Sequence, residues 1–222
     1  MILARTDLKT SELKLSNPQA ENYATNVTFP SPFGTSTILR GWASIDAKVR
    51  GKTVRFINTH LDPDSEFVQR AQAAEILAGP ADTALPVILA GDLNTRADGT
   101  STATYGDLTD AGFVDAWTEV HPSKPGYTAL QDDLLRNPTS QLSERIDFIL
   151  MRGDLEARSA EVIGEAPSDR TPSGLWPSDH AGVVATVSVH ARPNKSGHGW
   201  DRDARGDDPK KADKSLFDEL YA

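Results

Sequence analysis

The stretch Pro86-Val87-Ile88-Leu89-Ala90-Gly91 limits what this chain can fold into more than any other. Four apolar residues in a row, without alternation and bounded by breakers, describe a strand covered on both faces. Such a strand needs a sheet inside a layered domain, and 222 residues are enough for one core of that kind. Trp42 to Val49 and Thr53 to Thr59 flank Arg50-Gly51-Lys52, where glycine supplies the tight turn of an antiparallel hairpin. Pro63 opens a helix whose residues Phe67, Ala71, Ala74 and Leu77 recur at spacings of three and four, before Gly79-Pro80 stops it. A second helix is predicted from about Thr104 to Ala111, ended by Gly112. Arg145 to Met151, Leu155 to Ile163 and Ala181 to Val189 read as further strands. Antiparallel hairpins dominate, so the prediction for residues 1–190 is a layered α+β domain.

From Ala191 onward the composition changes. Seven Lys/Arg and seven Asp/Glu are interspersed with Gly and Pro, a mixture that buries little apolar surface and predicts a charged, disordered tail over residues 191–222. No apolar stretch approaches the roughly 20 residues of a membrane-spanning helix. The first residues turn polar at once, without the basic and then apolar pattern of a secretory signal.

With no cysteine, disulfides and thiolate chemistry are excluded, and any reaction must use oxygen and imidazole groups. The net charge of -9 repels nucleic-acid backbones at long range and argues against a protein that coats duplexes. A phosphate substrate stays compatible with that charge, because a divalent cation held by carboxylates reverses the local field.

Four places set acidic, amide or imidazole side chains beside an apolar strand: Asn58-Thr59-His60, Gly91-Asp92-Leu93-Asn94, Arg145-Ile146-Asp147 and Ser178-Asp179-His180. Each alone has a plain structural explanation, as a turn, a cap or a satisfied strand-end histidine. Strand ends pointing one way would gather them into a single pocket suited to phosphoester hydrolysis. Asp179 is an oxygen ligand for a hard cation, His180 a group that moves a proton near neutral pH, and Asp147 the carboxylate to hold its other nitrogen. Asp92 and Asn94, two apart across a turn opened by Gly91, face the attacking water and a phosphate oxygen. Arg145 and Arg96 are cationic contacts for phosphate, and Tyr127 and Trp176 are aromatic contacts for the rest of a substrate.

These motifs, in this order over about 120 residues, resemble the endonuclease/exonuclease/phosphatase superfamily. The resemblance implies a four-layer αββα sandwich and cleavage of a phosphoester with Mg2+ or Mn2+. It gives His60 phosphate stabilisation, Asp92 orientation or activation of the nucleophile, and Asn94 phosphate or metal binding. Asp147 would pair with His180, Asp179 would be a metal ligand, and His180 would be general base or phosphate-polarising acid. Family members begin with a strand carrying Asn and a Gln-Glu motif whose Glu binds metal. Met1-Ile2-Leu3-Ala4-Arg5 looks instead like an apolar strand from the middle of such a domain. The implied domain is therefore N-terminally truncated, short of its first strands and of the Glu-bearing segment. Unpaired strand edges in it would favour self-association. The candidate substrates are a small phosphodiester, a phospholipid head group or a nucleic acid. The alternative is a catalytically inactive remnant that acts as a binding or partner-dependent module.

Overall fold

A computed structural model of the chain describes residues 1–190 and the strand Glu219–Tyr221. The expected tail therefore lies, apart from that strand, outside the described residues. In chain order the strands are β1 (Leu13–Asn22), β2 (Val27–Ser31), β3 (Gly34–Ile38), β4 (Gly41–Val49), β5 (Lys52–His60), β6 (Val87–Asp92), β7 (Val114–Asp115), β8 (Asp147–Arg152), β9 (Leu155–Ile163), β10 (Gly182–Val189) and β11 (Glu219–Tyr221). The helices are α1 (Glu66–Ala78), α2 (Thr104–Asp110) and α3 (Ala116–Val120).

Six strands form the main sheet in the order β1-β4-β5-β6-β8-β7, and three form a second sheet, β11-β10-β9. The apolar strand is β6, near the centre of the larger sheet. Its residues alternate between two cores. Val87 and Leu89 pack with Ile57, Ile76 and Leu108 on the helical side, while Ile88 and Ala90 pack with Val183, Ala185 and Val187 of the second sheet. The molecule is thus an α+β sandwich of helices, large sheet and small sheet.

The β4-β5 hairpin forms as expected, with Arg50 and Gly51 both at positive φ (46° and 93°), the geometry of a two-residue turn matched to strand twist. The one parallel pairing among the described residues, β5 with β6, is crossed by α1. Ser65 caps α1 by accepting from the Val68 N–H. The buried face of α1 differs from the expected one. It is Val68, Gln69, Gln72, Ala73 and Ile76 that are buried, while Phe67 is 79% exposed. Two glutamines occupy the inward face because their amides meet backbone groups that apolar side chains would leave unpaired.

One further expectation is corrected. Met1 to Arg5 forms no strand: it joins no sheet, Met1 and Leu3 are exposed, the Met1 ammonium donates to the Asn58 side chain, and Arg5 pairs locally with Asp7. The β1 edge strand and the β2-β3 hairpin, unread in the sequence, take its place ahead of β4. At the free edge of β9, Glu119 accepts from the Ala157 N–H and the His121 ring contacts the Ala160 carbonyl, so side chains from α3 and its C-terminus satisfy groups that would otherwise template another strand.

Candidate active site

Sheet register assembles the site. His60 ends β5, Asp92 ends β6 and Asp147 begins β8, and in the pairing His60 stands beside Asp92 and Asp92 beside Asp147. Three polar side chains therefore occupy one row across three adjacent strands, at the rim where the apolar core gives out. His180 reaches the row from the small sheet, in the loop before β10, where it bridges to Ala129. One ligand atom from each of Asp92, Asp147 and His180 lies within 4.8 Å of the others.

The turn after β6 depends on Gly91. Its φ is +147°, and a Cβ there would lie 1.9 Å from the Thr59 carbonyl oxygen, so only glycine lets β6 approach β5 at this point. Asp92 Oδ1 then accepts from the Asn94 N–H at 2.9 Å, closing an Asx turn, and Asn94 itself sits at φ +50°. The Asn94 amide nitrogen donates to the Leu61 carbonyl at 2.9 Å, which leaves its amide oxygen without a partner among the described residues. At β8, the buried Thr128 hydroxyl accepts from both the Ile146 and Asp147 N–H groups at 3.2 Å, setting the height of Asp147.

Electrostatics separate the two histidines. His180 Nδ1 lies 2.9 Å from Asp147 Oδ2, and this hydrogen bond raises its pKa to about 8. It is mostly protonated at neutral pH. Burial and the positive charge of Arg40 push His60 below its ordinary value, so it is neutral there. Its Nε2 stands 3.4 Å from Asp92 Oδ2, a polar contact between a neutral ring and a carboxyl group. Burial and the like charge of Asp147 raise Asp92 to about 6. Two crowded carboxyl groups next to a cationic imidazole form a donor set into which a hard divalent cation fits, since it would relieve their repulsion.

Of the other residues singled out in the sequence, Asp179 is exposed, takes a hydrogen bond from the Ser178 hydroxyl and stays outside the group of three. Tyr127 is also exposed, one residue from Thr128. Trp176 is not surface: it is 1% exposed, and its indole nitrogen donates to the Asn137 carbonyl. An indole so placed fills the core under its loop. Arg145 is likewise occupied. It pairs with buried Asp115, donates to the Pro125 carbonyl and the Thr118 hydroxyl, and lies over the Phe148 ring. Arg96 pairs with Glu144.

The sequence reading missed Arg40, whose positive charge is felt at the site. Its charge lowers the pKa of both His60 and Asp92, and its buried Nε has no hydrogen-bond partner among the described residues. Its backbone is held on both sides, by the Tyr23 N–H on its carbonyl and by Asn26 on its own N–H.

Comparison with known proteins agrees with this architecture. The family model described as "Endonuclease/Exonuclease/phosphatase family" matches residues 14–180. Tyrosyl-DNA phosphodiesterase 2 of Rattus norvegicus is 28% identical over 167 residues, covering 71% of this chain and 44% of its own length, so the chain spans under half of that curated relative. Among solved structures, an endonuclease/exonuclease/phosphatase from Bacteroides vulgatus superposes with TM-score 0.60 at 20% identity, covering 82% of this chain and 68% of the other. TDP2 of D. rerio, complexed with single-strand DNA product, gives 0.57 at 20% identity over 82% and 71%. The mannosyl-6-phosphatase Bt3783 of Bacteroides thetaiotaomicron gives 0.54 at 17% over 78% and 66%. At such identities these structures establish the shared fold. With a family match that runs from the first strand of the large sheet to His180, the chain belongs to the endonuclease/exonuclease/phosphatase family.

Proposed function

We propose that the chain is a phosphoester hydrolase that works with a divalent cation, Mg2+ or Mn2+. The observation that carries this reading is the meeting of Asp92, Asp147 and His180 at one sheet rim. Asp92 and Asp147 would hold the cation, with Asp179 and the free amide oxygen of Asn94 as further oxygen donors. When bound, the cation would supply Lewis-acid polarisation of a phosphoryl oxygen. Protonated His180, its Nδ1 fixed by Asp147, directs its Nε2–H outward to a phosphate oxygen and acts as the acid. Neutral His60 donates to the same phosphate, Asp92 orients the attacking water, and Arg40 balances the phosphate charge. Tyr127 offers a ring to the rest of the substrate. Arg145 and Trp176 serve the fold in this reading.

The relatives' names include a phosphodiesterase and a phosphatase, so both ester types belong in the test. The net charge disfavours long duplexes and leaves a small phosphodiester, a lipid head group or a nucleic acid met through the cation as candidate substrates. Hydrolysis of bis(4-nitrophenyl) phosphate and 4-nitrophenyl phosphate with Mg2+ should fall about 10²- to 10⁴-fold in His180→Ala and Asp92→Ala. Equal rates in wild type and both variants would overturn the proposal. Only two of the three groups that converge at the sheet rim, Asp92 and Asp147, are oxygen donors, which favours one second reading, a noncatalytic binding module. Equilibrium dialysis with Mn2+ separates the two, because the module reading expects no cation bound.

The reading extends to self-association. Ala43, Ile45 and Ala47 of β4 face the same side as Val54 and Phe56, yet stay half-buried and outside the core shared with the small sheet. Sedimentation at rising protein concentration should show dimers or larger species, and a monomer throughout would refute this extension.

A further inference from the structure

Gln69 of α1 is fully buried, and the mechanism above does not use it. Its amide nitrogen donates one proton to the Asp62 carbonyl at 2.9 Å and the other to the Asn94 carbonyl at 2.7 Å. Its amide oxygen lies 2.5 Å from the Thr102 hydroxyl and 2.6 Å from that of Thr104, which donate to it. The side chain is thus saturated, and its orientation is unambiguous, because the flipped amide would set an oxygen against two carbonyls. The two carbonyls it joins are not neighbours in the chain. Asp62 is two residues past His60, and Asn94 is two residues past Asp92. The same strand exits are also stitched together by the Leu61 N–H on the Asp92 carbonyl and the Asn94 side chain on the Leu61 carbonyl.

Resting on the hydrolase reading, we propose that Gln69 is a positioning residue that sets the separation of the strand ends carrying His60 and Asp92. A single planar group with two donors bridges both exits, so they move as one unit tied to a packed helix. Without it, the exits keep the contacts between them and the Gln72 amide oxygen on the Asp62 N–H, but the Asp62 and Asn94 carbonyls lose the one buried group that joins them. Misplacement of reacting groups by even 1 Å costs about 100-fold in rate, which is larger than the effect on binding expected from residues that do not touch substrate.

The test uses the full chain with Gln69→Met, the double variant Thr102→Val with Thr104→Val, and Arg70→Ala. The last removes an exposed ion pair between α1 and Asp107 of α2 and touches neither strand exit. Amide hydrogen exchange should quicken by about tenfold or more in residues 60–65 and 92–96 together in Gln69→Met, and less in the threonine double variant. With bis(4-nitrophenyl) phosphate and Mg2+, kcat should fall about 10- to 100-fold while KM stays within about twofold. Arg70→Ala should leave both segments and kcat unchanged. Faster exchange in only one segment, or a lowered Tm with unaltered kcat, would overturn the proposal. If Gln69→Met does not fold, the threonine pair decides by the same criteria. If wild type hydrolyses neither ester, the hydrolase reading fails, and exchange alone still decides whether Gln69 couples the two turns.

Discussion

Asp147 Oδ2 sits 2.9 Å from His180 Nδ1, joining the first residue of a strand in one sheet to the loop before a strand in the other. This pair ties the sheets together at the site, and it makes the charge of His180 a property of Asp147. Asp147→Asn should bring the His180 midpoint, near 8 in the unliganded protein, down toward the ordinary 6.5, as read from imidazole C–H shifts in an NMR titration. The same pair gives stability a pH dependence. Because the folded value is the higher one, its contribution is complete below pH 6.5 and is lost as pH rises through about 8. A wild-type midpoint unchanged by Asp147→Asn would refute the assignment.

Asp92 has the opposite economy. Its carboxyl group is held at about 6 by burial and by Asp147, so ionising it costs stability as pH climbs from about 4 to 6. Asp92→Asn should therefore stabilise the unliganded protein at pH 7 to 8, by on the order of 2 kcal/mol, even as hydrolysis is lost. Urea titrations at pH 4 and pH 7.5 test this. The gain should vanish at the lower pH, and a destabilised variant at pH 7.5 would contradict the proposed cause.

Arg40 has no ion-pair partner among the described residues, so its removal should act on the substrate more than on the fold. Arg40→Ala should weaken phosphoester binding by about 10- to 100-fold in KM, the range of a charge-assisted hydrogen bond, and raise the pKa of His60. Arg40→Lys should restore the His60 midpoint but only part of the binding, because an ammonium lacks the planar fork. Steady-state kinetics together with the histidine titration would check both halves.

Gly91→Ala should be among the most damaging single substitutions. It combines an unfavourable φ with a methyl group driven into the Thr59 carbonyl, and a loss of more than about 3 kcal/mol is expected. Thermal unfolding of this variant beside Gly51→Ala, which has positive φ but open space around it, separates the clash from the conformational cost. Equal losses in the two would refute the close-approach argument.

Much of this was legible before any coordinates. Val87 to Ala90 announced a strand buried on both sides because nothing polar interrupts it, and the hairpin was marked by Gly51 at its turn. The row of His60, Asp92 and Asp147 could be anticipated because each polar residue stands where an apolar run stops. Other features left no such trace. In β1, nine of ten positions are exposed, so no alternation distinguishes it from a loop. The inward face of α1 was misread because two of its five buried residues are glutamines satisfied by distant backbone groups. Trp176 stands beside Ser178-Asp179-His180 in the chain, but it is buried, with its indole nitrogen hydrogen-bonded to Asn137, 39 residues away. Arg40 gains its role from the strands that border it in space, which spacing along the chain does not express.

Because Asp92 and Asp147 are direct cross-strand partners, the gap between these carboxyl groups is inherited from a ladder of backbone hydrogen bonds. Insertions in the long connection from Arg96 to Glu144 can reshape what the site admits while the pair keeps its spacing. One residue added inside Phe148 to Arg152 would turn the side chain at the head of that strand to the opposite face. In the proposed hydrolase, changes to the loops would therefore alter substrate fit while the sheet holds the carboxyl pair in place.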